Sequence, residues 1–168
     1  GKYMKKSILL MLSLLFSTLL TSCTLPHIIK PRTVTMNEIR ALDYGTVPRN
    51  YEKVIAQHLY GSLIDPKSLM IDSISKPKKF VEIELDERNT QPNDEYYNIK
   101  FKTSYLVCIR FNAKNTYGGY VGWEWQGYYF KNNELIQVIS REYRCEIDKD
   151  VIVHSPYISD EVNLVGYE

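Results

Sequence analysis

Tyr97-Asn98-Ile99-Lys100-Phe101-Lys102-Thr103-Ser104-Tyr105-Leu106-Val107-Cys108-Ile109-Arg110-Phe111 alternates along its whole length. Tyr97, Ile99, Phe101, Thr103, Tyr105, Val107, Ile109 and Phe111 fall on one face. Asn98, Lys100, Lys102, Ser104 and Arg110 fall on the other. A period of two sustained this far specifies a strand and is unlike a helix. The stretch predicts one long strand, or two with a bend near Thr103. Leu106 and Cys108 interrupt the polar face near its end. That face is expected to be covered there, with the segment carrying Cys145 as the candidate cover.

Outward from this strand the same period recurs. Val81, Ile83 and Leu85 alternate with Glu82, Glu84 and Asp86, which predicts a half-buried strand. Residues 86–95 form a polar loop whose charges face solvent. Downstream, Val121, Trp123, Trp125 and Tyr129 share a face opposite Glu124, Gln126 and Tyr128. This predicts a second strand with both tryptophans on its buried face, and a bulge at Gly127. Asn132-Asn133 is a hairpin turn signal, with Leu135–Ile139 returning. Val151-Ile152-Val153 is a short strand that Pro156 ends.

Before these strands the period is 3.6. Tyr51, Val54, Ile55, His58, Leu59 and Leu63 make one apolar stripe, with Glu52, Lys53 and Gln57 outside it. Asn50 is the expected N-cap, and Glu52 suits the positive end of the helix dipole. His58 lies on the edge of the stripe, a place for a core-edge histidine. The helix weakens at Gly61 and ends before Asp65-Pro66, which opens one further short turn through Leu69. One apolar helix stripe and one apolar sheet face predict an α+β fold. The expected architecture is a main amphipathic helix packed on a mostly antiparallel sheet of about four strands.

The start of the chain has a different character. Lys2, Lys5 and Lys6 precede an apolar run from Ile8 to Leu20, and Leu20-Thr21-Ser22-Cys23 follows. The run is short for a membrane span, which needs about 20 residues. This pattern resembles the signal of a bacterial lipoprotein: a basic region, an apolar region, then small residues before a Cys. The resemblance implies that Cys23 carries a diacylglyceryl group and is the first residue after cleavage. Residues 1–22 are then the leader, with Met4 read as its start, and 23–45 a flexible tether. Residues 46–168 are a single domain. Met36–Leu42 has the makings of a helical turn within the tether. Thr24 follows the Cys where an Asp would retain a lipoprotein of enteric-type bacteria in the inner membrane. The outer membrane is therefore expected ahead of the inner.

The chain has 168 residues with 21 basic and 20 acidic side chains. Residues 1–22 hold three Lys and no acid, so the remainder carries 18 basic and 20 acidic groups, a net of −2. That balance offers nucleic acid no basic face, and none is expected as a partner. Fourteen Tyr, five Phe and two Trp favour strands and contact surfaces. Cys108 and Cys145 remain beside Cys23. In an oxidising compartment outside the cytoplasm the two would pair; the other reading is two separate buried thiols. No CxxC occurs, and His27, His58 and His154 stand far apart, so neither a metal nor a cofactor is expected.

Asn112-Ala113-Lys114-Asn115-Thr116-Tyr117-Gly118-Gly119-Tyr120 follows the long strand. With Asp43-Tyr44-Gly45, Asn50-Tyr51-Glu52, Asp65-Pro66 and Cys108, it resembles a family of small bacterial lipoproteins. The likeness spans roughly residues 43–139. It implies an envelope location and a Cys-bearing strand, and it implies no activity. Asn112, Lys114, Asn115, Tyr117 and Tyr120 are the candidate binding loop, suited to a glycan or a peptide stem. The competing reading is that turn geometry demands the Asn and Gly, and that the Tyr rings pack across strands.

The expected function is a membrane-anchored envelope lipoprotein, a non-enzymatic binding or structural module. Its partners would be the membrane, through the lipid, and an envelope protein or peptidoglycan. The alternative is an inhibitor or binder of cell-wall-active enzymes. A hydrolase needs a nucleophile or paired acids held with a base. Neither a Ser elbow nor a metal pattern is present. Cys108 with His58 or His154 would imitate a thiol hydrolase, which a bond to Cys145 would exclude.

Overall fold

A computed structural model describes residues 26–157 and 160–167. The expected leader and Cys23 lie outside the described residues. The alternating stretch forms a single unbroken strand, β4 (Ile99–Asn112), which organises the main sheet. Two strands share one of its edges. β3 (Lys78–Leu85) runs antiparallel along its first half, with Leu85 opposite Ile99 and Lys78 opposite Leu106. β2 (Met70–Ile74) continues along its second half. Between them the Ser75 amide donates to the Cys108 carbonyl at 2.8 Å, and the Ser75 hydroxyl accepts from the Cys108 amide at 2.9 Å.

β5 (Glu124–Lys131) pairs along the other edge of β4, and β6 (Glu134–Ser140) pairs with β5. Asn132 and Asn133 make the turn between them at φ 49° and 69°, the left-handed geometry that asparagine tolerates. β7 (Val151–His154) lies parallel to β3, which gives the order β6-β5-β4-β3-β7 with β2 attached to β4. β1 (Arg32–Thr35) and β8 (Val162–Val165) form a separate parallel pair.

The fold is α+β, mostly antiparallel and served by one main helix, as expected. About four strands were expected, whereas eight occur in two sheets among the described residues. The four shortest strands, β1, β2, β7 and β8, have four or five residues each. β2 shows no inside-outside alternation, because all five of its residues are exposed. β1 and β8 pair only with each other, across the length of the domain.

The domain also begins earlier than residue 46. β1 leads directly into α1 (Met36–Arg40), whose first turn is capped by the Thr35 hydroxyl accepting from the Glu38 amide at 3.2 Å. Val34, Met36, Ile39 and Tyr44 are all buried. Their spacing mixes strand and helix periods, so no single periodicity reveals them. The Tyr44 hydroxyl donates to the Ile39 carbonyl at 2.9 Å, and burial, with Tyr105 and Asp150 nearby, pushes its pKa up to about 12.

α2 (Tyr51–Ser62) buries Ile55 and Leu59, with Tyr51, Val54 and Leu63 packed against the same core. The Asn50 side chain does not cap it. Its entry is held instead by the β5–β6 turn: Asn132 accepts from the Thr46 amide at 3.4 Å and Asn133 from the Arg49 amide at 2.9 Å. His58 is a core-edge residue, its Nδ1 3.1 Å from the Tyr128 hydroxyl and its ring edge-on to Tyr128.

Both faces of the sheet are covered around the centre of β4. Tyr105, Val107, Ile109 and Phe111 join Ile55, Leu59, Tyr128 and Phe130 in the main core. Leu106 and Cys108 join Phe80, Tyr129 and Ile152 in a second, smaller core on the opposite face. The expected cover is present: the 3₁₀ turn Tyr143–Glu146 brings Cys145 onto Cys108 at bonding distance, with Cα atoms 5.6 Å apart.

Coverage on both sides corrects the reading of β5. Tyr128 and Phe130 face the main core, while Tyr129 faces the second. Trp125 packs only partly against that second core. Trp123 precedes the strand and is 46% exposed, so it is not a core residue. The bulge expected at Gly127 is also absent, for pairing to Cys108 and Ile139 continues through it. Gly127 is needed for close approach. A Cβ there would lie 2.7 Å from Glu142 Cγ and 3.1 Å from Leu106 Cδ1. Gly127→Ala is expected to destabilise the protein by about 1–3 kcal/mol through overpacking, checked by urea unfolding.

Candidate functional site

β4 ends in a small hairpin, and the asparagines of the motif build it. The Asn115 side chain accepts from the Tyr117 amide at 2.9 Å and the Gly119 amide at 3.2 Å. Its own amide donates to the Gly119 carbonyl at 2.8 Å. Gly118 takes φ 79° at the turn, a left-handed value that suits a residue without Cβ. Asn112 is buried and accepts from the Gly122 amide at 3.0 Å, which closes the base of the loop. The Lys114 amide donates to Ser68 at 2.8 Å and ties the hairpin to the segment before β2.

The five candidate loop residues therefore divide by role. Asn112 and Asn115 have their side-chain oxygens committed to turn amides. Lys114, Tyr117 and Tyr120 are presented outward. Tyr117 at the tip is 95% exposed, and the Lys114 ammonium sits 5.4 Å from the centre of the Tyr120 ring. The two readings of the motif meet here: turn geometry accounts for the Asn and Gly, and the Tyr rings do not pack across the sheet.

Beside the hairpin runs an open groove of about 380 Å³. Val121, Trp123 and Trp125 form one wall, and Tyr143 and Glu146 of the 3₁₀ turn form the other. The second wall is firmly attached to the sheet. The Glu142 amide donates to the Trp125 carbonyl at 3.1 Å, and the Lys78 ammonium donates to the Ile147 carbonyl at 3.1 Å. Beneath it the Glu142 carboxylate is only 1% exposed. It accepts from the Tyr129 hydroxyl and from Arg144 Nη1 at 3.0 and 3.2 Å. The Arg144 guanidinium stacks on Phe80 and Tyr143, and its Nε is buried without a hydrogen-bond partner. Burial, with the bond to Glu142, drives the Tyr129 hydroxyl pKa far upward, which keeps it a donor. This buried ionic cluster gives no sign in the sequence beyond Gly127, whose expected bulge is absent, and the nearness of Glu142 to Cys145.

The candidate nucleophile and bases do not converge. The Cys108 sulfur is engaged by Cys145, and His58 lies against Tyr128 in the main core, across the sheet from it. His154 sits 3.5 Å from the Tyr143 hydroxyl and 4.0 Å from Glu82. Burial and the Arg144 charge lower its pKa below the ordinary 6.5, against a smaller upward pull from Glu82 and Glu142. The folded state thus takes up this proton less readily than the unfolded chain. Its contribution is present above the unfolded value and is lost as pH falls below it. Denaturant midpoints are expected to drop between about pH 7.5 and 5.5, and His154→Gln is expected to flatten that slope.

No family model, curated protein or solved structure matches this chain. What it does must be read from its own residues. Their placement along β4 is informative. The first described residues lie beside the strand's start: His27 bonds the Asp94 carbonyl at 2.7 Å, and Lys30 pairs with Glu95 at 3.0 Å. The hairpin and groove lie past its end. Fourteen extended residues separate the two, roughly 40 Å at the usual rise per residue.

Proposed function

We propose that this chain is a lipid-anchored lipoprotein of the bacterial envelope. Its domain is a non-enzymatic binding module that meets its partner through the hairpin after β4. The observation that carries this reading is the polarity of β4. The chain arrives from the Cys23 side at one end of the strand, and the exposed Tyr117 and Tyr120, with the half-buried Lys114, stand at the other. A module built this way holds its contact surface away from the bilayer. The Leu20–Cys23 pattern supports the anchor, and two or more acyl chains make such an anchor stable. The Cys108–Cys145 pairing supports an oxidising compartment. Thr24 favours the outer membrane.

The partner class is peptidoglycan or an envelope protein. A second reading, an inhibitor of cell-wall-active enzymes, is favoured by Tyr117. A tip residue 95% exposed on a turn rigidified by Asn115 is preorganised to enter a cleft. The test uses lipoprotein purified from membranes in detergent and isolated cell-wall sacculi. Co-sedimentation that is lost in Tyr117→Ala/Tyr120→Ala, with unchanged unfolding, is expected. Retention of full binding by that variant, or no binding to sacculi or to wall hydrolases, would remove the reading.

A further inference from the structure

The groove beside the hairpin has a character of its own. Trp123 is 46% exposed and Tyr143 60%, with Trp125 partly buried between the walls. Glu146 and Arg141 also line it, and the Glu146 carboxylate is engaged by no other described side chain. A carboxylate only accepts hydrogen bonds and a guanidinium only donates, so a ligand here must supply both donors and acceptors. An ammonium ligand would also suit acids and aromatic rings. The two most exposed rings, however, already carry this chain's own cations. Arg110 lies 5.9 Å from the centre of the Trp123 ring and Arg144 lies 4.9 Å from that of Tyr143. A second positive charge would be repelled at both places. A neutral ring with an apolar face and peripheral donors meets no such penalty. The open shape admits a chain of such rings, and the volume lies in the range of ligand sites.

We infer that this groove is a glycan-binding site, taking neutral pyranose chains whose hydroxyl and amide groups donate to Glu146 and accept from Arg141 while their rings stack on Trp123 and Tyr143. The inference rests on the binding-module reading and names the chemistry of the partner. It adds residues outside the hairpin motif. It also makes the groove depend on the Cys145 turn, which supplies one whole wall.

Trp123 and Trp125 are the chain's two tryptophans and both line this groove, so emission excited selectively at tryptophan reports on it. The experiment titrates the full lipoprotein, in detergent, with the β-1,4-linked tetramer of N-acetylglucosamine. Emission and calorimetry are followed together. A saturable change in both is expected, with affinity weakened about tenfold or more by Trp123→Ala and by Glu146→Gln. Trp123 is half exposed, so the variant is expected to keep the wild-type unfolding midpoint. If it does not, Tyr143→Ala, at a more exposed position, takes its place. No heat and no emission change, with sacculus binding still dependent on Tyr117 and Tyr120, would overturn the glycan groove and leave the binding module standing. Saturable binding of tetralysine in place of the sugar would overturn the neutral-ring assignment. Loss of sacculus binding together with the sugar titration would overturn both.

Discussion

Cys145→Ala is expected to lower the free energy of unfolding by about 4 kcal/mol. The bond to Cys108 closes a loop across a sequence separation of 37, and that is the entropy such a loop withholds from the unfolded chain. The affected element is local. Cys145 fastens the 3₁₀ turn over Phe80, Leu106, Tyr129 and Ile152, a core with few other covers. The variant is therefore expected to lose order in the 141–147 segment before the main core. Urea unfolding with and without reductant checks this. Wild type with reductant should fall to the stability of the variant, and the variant should not respond to reductant. A wild type indifferent to reductant would mean that the bond adds nothing to the fold.

Glu142→Leu is expected to cost about 3–5 kcal/mol, the effect of removing one partner of a buried ion pair. The Glu142 and Arg144 side chains are 1% and 13% exposed, so the guanidinium has little water to turn to when the carboxylate goes. Tyr129 loses its acceptor at the same time. Arg144→Leu should cost a similar amount. The double variant should cost less than the sum of the two, because it leaves no unpaired charge behind. A double-mutant cycle by urea unfolding measures this. Additive losses would show that the pair is not coupled. The cycle also bears on the groove, since the Tyr143 wall rests on this cluster.

The parts of the fold legible in the sequence are those where one face is wet and the other dry. β4 alternates cleanly through Thr103 and was readable for that reason. Leu106 and Cys108 announced a second covered face, and Cys145 arrived there. β5 was misread because both of its faces are buried between Gln126 and Phe130. Alternation then carries no direction, and the outward Trp123 looked like a partner of Trp125. β1 and β8 escaped notice because each is short and pairs with a strand at the far end of the chain.

The candidate site was half legible. The Asn-Ala-Lys-Asn motif marked the loop after β4, but sequence cannot separate an asparagine that binds from one whose carbonyl closes a turn. Asn112 and Asn115 are of the second kind. Glu142 and Arg144 were invisible, because a buried pair and an exposed pair have the same letters. The groove was hidden for a related reason: its two walls, around Trp123 and Tyr143, are distant in sequence and are joined by the Cys108–Cys145 pairing.

The most direct measurement is the intact mass of the protein expressed with residues 1–22 included and purified from membranes, before and after reduction and alkylation. The account predicts a mass for cleavage before Cys23 with added acyl chains. It also predicts that no thiol is alkylated until reductant is present, and then two, Cys108 and Cys145. A full-length chain with an unmodified Cys23, or a Cys108 alkylated without reductant, would contradict it.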